Sequence, residues 1–187
     1  VRLLNAHVHR RGNEPETYVQ SMSVLAAPFL FLMPEPEAFA SFDVLLRDHI
    51  PDYVRKYVGV HRGCSLLSRC LQSLDGELYQ RLDRPQLKPQ MYAFPNISTL
   101  GMCVQPLSES MRLLDIQLAY GSHLGVLFSL GRLMLARERI LSVAPGKMPL
   151  TTRDMETGLG VRSTEVIECT KGFILKIKDE LYNELLG

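Results

Sequence analysis

An all-α protein is what the spacing of apolar residues predicts. Along most of residues 1–141 apolar side chains recur at intervals of three and four. No stretch shows the strict alternation, backed by β-branched residues, that a half-buried strand requires. Prolines at 51, 85, 89, 95 and 106 cut the pattern into pieces of helical length.

Taken in order, the first residues, VRLLNAHVHR, open inside an amphipathic pattern with neither an initiator methionine nor a capping residue ahead of them. The expectation is an interior piece of a longer protein. A second helix is expected from near Thr17, in TYVQSMSVLAAPFLFLMP, with Pro28 kinking or interrupting it because proline lacks the backbone donor and clashes with the carbonyl of residue 24. Cys64, Leu67, Leu71, Leu74 and Leu78 then share one helical face. A helix starting near Pro106 buries Leu107, Met111, Leu114 and Leu118, and Gly121 is placed to end it in the left-handed conformation. Residues 124–135 are apolar nearly all round, as a helix surrounded by helices must be, with Arg137 and Arg139 at the negative end of its dipole.

Pro145, Gly146, Pro149, Gly158 and Gly160 break the pattern, so residues 142–163 read as an irregular, mobile and protease-sensitive connection. Val166, Cys169, Phe173, Ile177, Leu181 and Leu185 restore the period. The expected organisation is therefore a helical core over 1–141, a loop over 142–163 and one closing amphipathic helix over 164–187. No repeat of solenoid length is visible.

Composition narrows the function. With 46% hydrophobic and 22% charged residues in 187, the chain is an ordinary globular protein with one core. Its 21 basic residues are offset by 20 acidic ones and form no long run, which argues against nucleic acid as a partner. Cys64, Cys70, Cys103 and Cys169 form no CxxC pair and have apolar neighbours, as reduced, buried thiols of a cytoplasmic protein would. The apolar run 24–33 is about half the ~20 residues that span a bilayer, so no membrane span is expected.

Site chemistry is mostly missing. His7 and His9 lie two apart, a spacing that faces different sides of a helix, and are expected to be solvated or half-buried. His61 and His123 have no carboxylate or cysteine at ligand spacing, so no metal and no cofactor is predicted. The PGKM around Lys147 lacks the first glycine of a phosphate-binding loop, Leu141 standing in its place. There is no GxSxG elbow and no flanking signature of a thiol nucleophile. Gln20 stands out because it precedes the apolar run. Its local explanation is a capping box with Thr17, in which the two side chains satisfy each other's backbone N–H groups.

The phrases YVQSM, VLAAPFLFLMP, EAFASFDVLLRDHIPDY, YAFPNISTLGM and PLSESMRLLDIQLAYGSHLGVL, in this order, resemble the TBC-domain GTPase-activating proteins of Rab-like GTPases from about Leu3 to Leu141. Within that family they are most similar to the branch that acts in the fungal spindle-position checkpoint. The resemblance implies a multi-helical TBC fold lacking its N-terminal part and a GTP-bound Rab-like small GTPase as partner. It also implies a second regulatory subunit, a role in mitotic exit or cytokinesis, and residence at the spindle pole or centrosome. On the family's YxQ element, Gln20 becomes a catalytic glutamine finger, with Tyr18 and Ser21 as GTPase-binding neighbours.

The chain departs from the family pattern in three ways. Ser21 replaces the usual glycine, Leu114 replaces the usual tryptophan, and no IxxDxxR arginine-finger phrase occurs between Val1 and Thr17. Arg10 and Arg11 lie too close to Gln20 and lack the preceding aspartate. An arginine finger contributes ~10³ to 10⁵ in rate, so the chain alone is expected to be weak or inactive. The alternative is a non-catalytic helical scaffold that binds a small GTPase or a partner subunit.

Overall fold

The computed structural model describes residues 1–12, 18–85, 87–144 and 147–187. Its helices are α1 (Arg2–Arg11), α2 (Met22–Leu32), α3 (Glu35–Val44), α4 (Pro51–Val54), α5 (Val58–Leu74), α6 (Gly76–Leu82) and α7 (Pro89–Ser98). They continue as α8 (Leu107–Tyr120), α9 (Leu124–Leu135), α10 (Arg137–Ser142), α11 (Thr152–Glu156), α12 (Ser163–Ile174) and α13 (Asp179–Leu186). A π-helical turn, Leu45–His49, extends α3, and a 3₁₀ turn covers Gly158–Gly160. No β-strand occurs among the described residues, and one isolated bridge pairs Arg84 with Leu87.

The run read as a helix surrounded by helices is α9, every position of which from Leu124 to Leu133 is buried. Helices α5, α7, α8 and α12 pack around it. Close approach is possible where side chains are small. A Cβ at Gly63 on α5 would stand 3.2 Å from both Ile97 and Val126, so a larger residue would force α5 away from α7 and α9.

Two apolar clusters result. The larger gathers α5, α6, α7, α9, α12 and α13, and the smaller gathers α1, α2, α3 and the π-helical turn. Helix α8 is the wall between them. Leu113 belongs to the larger cluster, while Leu114 belongs to the smaller one with Leu107, Met111 and Leu118 against it. The stripe read from the sequence is thus one of two buried faces. The other carries Ser110, Leu113 and Gln117, whose amide donates to the carbonyls of Leu100 (3.0 Å) and Leu113 (3.2 Å).

Several local expectations need correction. Helix α2 begins at Met22, not near Thr17, and runs through Pro28 to Leu32, so of a kink or an interruption at proline the interruption is excluded. Pro28 is itself buried beside Leu25, Ala26 and Phe29, and this packing holds the turn whose donor is missing. Gly121 does take a positive φ of 118°, but with ψ 145° it lies outside the left-handed helical region.

The closing segment is two helices, not one. The turn between them exposes Leu175 at 93%, yet Val166, Phe173, Ile177, Leu181 and Leu185 stay buried, so the apolar period survives the break. Residues 147–161 are tied to the core rather than running free. Leu150 is buried, the Gln105 N–H donates to Glu156 O (2.9 Å), and Asp154 accepts from Arg139 and from the Thr151 N–H (2.8 Å).

If α9 organises the core, Leu127→Ala, at a fully buried position, will lower unfolding free energy by ~2 to 5 kcal/mol in urea titrations. Leu175→Ala will change it by no more than about 0.5 kcal/mol.

Candidate functional site

The turn at residues 18–21 leads into α2. It is built by backbone bonds: the Met22 N–H donates to Val19 O (3.0 Å), the N–H groups of Val24 (3.1 Å) and Leu25 (3.0 Å) to Ser21 O, and the Ser23 hydroxyl to Gln20 O (3.1 Å). Met22 and Leu25 are sealed into the smaller cluster and fix where the helix starts. That anchoring leaves Gln20 and Tyr18 exposed on the same turn. Ser21 differs from its neighbours. It is buried at 8%, so it contributes a carbonyl that closes the turn and not an open side chain for a partner to touch.

The capping explanation of Gln20 does not fit α2. Thr17 lies outside the described residues, and Ser21 is the N-cap with no side-chain cap bond. Gln20 therefore stands ahead of the cap instead of at the third helical position, where a capping-box glutamine belongs.

A buried carboxylate ties α1 to α3. Asp43, 4% exposed, has His7 Nδ1 at 3.5 Å, Arg10 Nη1 at 3.3 Å and Arg47 Nη1 at 3.6 Å. Arg47 also bonds Asp48 through Nε at 2.7 Å, and the Arg10 guanidinium lies 5.8 Å over the Phe39 ring. Arg10 is thereby committed to the fold. The reading of His7 as solvated or half-buried is wrong, because it is 2% exposed and meets Phe42 edge-on at 5.8 Å between ring centroids. Asp43 lies nearby but does not satisfy it, since His7 Nδ1 is buried without a hydrogen-bond partner among the described residues. The position of Asp43 inside the apolar phrase FASFDVLL was the available signal of a buried charge.

Burial, followed by the charge of Arg11, pushes the His7 imidazole below its ordinary pKa and outweighs the pull of Asp43. The thiols are quiet for the same reason, burial raising Cys64 to about 12 and Cys70 to about 11. None is positioned as a nucleophile. No helix of the described residues is long and apolar enough to cross a membrane.

The chain is a helical domain with Tyr18 and Gln20 exposed on the turn that leads into α2. The chain belongs to the Rab-GTPase-TBC domain family, which it matches over residues 2–141. It is similar to cell division control protein 16 of Schizosaccharomyces pombe, 40% identical over 186 residues, covering 98% of this chain and 60% of that protein. It is also similar to the mitotic check point protein BUB2 of Saccharomyces cerevisiae, 34% identical over 181 residues, covering 95% of this chain and 57% of that protein. A putative mitotic check point protein BUB2 of Dictyostelium discoideum is 37% identical over 141 residues, 75% of this chain and 38% of that protein. The chain thus spans no more than about three fifths of the length of these relatives.

The His7 environment sets a pH dependence. A histidine whose pKa is depressed by folding takes up its proton more readily when unfolded, so stability falls as pH drops from 6.5 toward the folded value and is regained above 6.5. Denaturant midpoints between pH 7 and 5 will show this loss in the unmodified chain. His7→Gln will flatten that part of the curve.

Proposed function

We propose that this chain is the glutamine-bearing part of a GTPase-activating domain for a Rab-like small GTPase in its GTP-bound form. The observation that carries the reading is the exposed Gln20 on a turn whose next residue but one, Met22, is fully buried. Phosphoryl transfer to water is accelerated mainly by positioning and by stabilising charge. A primary amide suits the first task, because it can accept from the attacking water while donating to the γ-phosphate. It is uncharged and loses little by leaving water. Tyr18, exposed at 49% on the same turn, is the neighbouring contact to the GTPase. Ser21 supports the turn from beneath.

The names of the relatives, a cell division control protein and mitotic check point proteins, support a role in mitotic exit or cytokinesis. We extend the reading to a second regulatory subunit, to residence in the cytoplasm and at the spindle pole or centrosome, and to an arginine finger supplied from outside residues 1–187. The helical core over 1–141 is the catalytic unit in this scheme, and the later helices brace it. The alternative is a scaffold that holds a GTPase without accelerating hydrolysis.

Single-turnover GTP hydrolysis by a panel of Rab-like GTPases separates the two. In a form of the domain extended to carry the IxxDxxR phrase, Gln20→Ala will lower the stimulated rate on the order of 10² to 10³, the scale of losing one transition-state hydrogen-bonding group, and leave GTPase affinity unchanged. Ser23→Ala, which removes only the hydroxyl bonded to Gln20 O, is the control for the turn. Equal rates for the Gln20→Ala and unmodified domains would contradict the glutamine role. Binding with no stimulation by the extended domain would favour the scaffold.

A further inference from the structure

Arg132 is out of place by the usual rules. It lies in the last turn of α9, is 4% exposed, and its Nη1 has no hydrogen-bond partner among the described residues. No ion pair holds it among the described residues, although the charge of Glu109 reaches it. Glu109 accepts from the N–H and hydroxyl of Ser163, both at 2.7 Å, and Asp154 is held by Arg139 and Thr151. A guanidinium cannot shed its charge in a protein, so a buried one must be solvated or paired.

Two small cavities flank it. The larger, of about 20 Å³, is lined by Tyr92, Asn96, Ser129, Arg132, Asp154 and Gly158 among others. Gly158 has φ +55°, and a Cβ there would fall on Nη1, so the missing side chain is what leaves the guanidinium room. The smaller cavity, of about 10 Å³, shares Asn96, Ser129 and Arg132 and adds Gln117, whose Oε1 is buried without a partner. An unpaired donor and an unpaired acceptor thus line adjoining spaces.

The lining selects the ligand. A bound anion would satisfy Arg132 but would face the Asp154 carboxylate and could give nothing to Gln117 Oε1. A cation would meet the guanidinium. Water both donates and accepts, and it needs about 10 to 15 Å³ and two to four polar partners. We propose that the two cavities form an internal hydration site, in which ordered water accepts from Arg132 Nη1 and donates to Gln117 Oε1 and to the free lone pairs of Ser129 Oγ. The Ser129 hydroxyl proton is already given to Gly125 O at 2.8 Å, which leaves its oxygen as an acceptor. Water here joins α7, through Asn96, and α9 to the covering turn at residues 158–160. The 147–161 segment is thus docked on the core through solvent as well as through the Arg139–Asp154 ion pair.

Magnetic relaxation dispersion of water oxygen-17 on the unmodified chain tests this without a variant. At least one long-lived internal water is expected, and a profile with none overturns the proposal. Arg132→Met, which keeps most of the side-chain length and removes the charge, will reduce the number of long-lived waters by at least one. An unchanged number in a folded Arg132→Met chain also overturns it. Should that variant not fold, a crystal of the unmodified chain soaked in bromide decides the matter. Water density within hydrogen-bond distance of Nη1 and no anomalous peak supports the site, whereas a bromide peak or a carboxylate at Nη1 refutes it.

Discussion

Burial of α9 on every side is the constraint from which the rest of the arrangement follows. Six large apolar side chains between Leu124 and Leu133 leave water on folding, which at ~1.5 to 3 kcal/mol each is on the order of the whole net stability of a domain. No partial cover would suffice, so α5, α7, α8 and α12 each give up an apolar face to it. Helix α8 can do this and still carry the smaller cluster only because its two buried faces are distinct. The exposed Gln20 turn rests on that smaller cluster through Met22, and so its position depends on α8 and, one layer further in, on α9.

Charge has a narrower part, and it is strongest where water is scarce. Asp43 is buried among one imidazole and two guanidinium groups and fastens α1 to α3. Asp75 works at another junction, where it accepts from the Leu78 N–H (3.0 Å) at the start of α6 and from Arg137 Nε (2.7 Å) at the start of α10. Exposed pairs such as Arg2 with Glu35 add little, since water screens them and long side chains lose freedom to form them.

Much of this was legible because apolar period reports burial directly. The all-round apolar run of α9 read correctly as a central helix, and the stripe Leu107, Met111, Leu114 and Leu118 found one face of α8. The second face escaped because it includes Ser110 and Gln117, polar residues that are buried by virtue of backbone carbonyls the sequence does not display. The period of the last segment ran straight across the turn between α12 and α13, since a break that keeps the same residues facing the core leaves no mark on the pattern. His7 and Arg132 were missed for a related reason, as the one is packed against Phe42 and a carboxylate distant in sequence and the other occupies space beside a glycine. At the candidate site, Gln20 was visible through its YxQ phrase. The start of α2 was not, because nothing in the residue order separates a cap at Thr17 from one at Ser21.

Scaffold and site therefore divide the work. The larger cluster supplies stability, the smaller one orients a turn, and in the function proposed above that turn offers an amide to a partner. Hydrogen exchange of backbone amides, compared for the free chain and for its mixture with a Rab-like GTPase loaded with a non-hydrolysable GTP analogue, tests this account most directly. The account predicts slowed exchange at residues 18–25, weaker or lost when the GTPase carries GDP. A footprint confined to α12 and α13, with residues 18–25 unchanged, would contradict it.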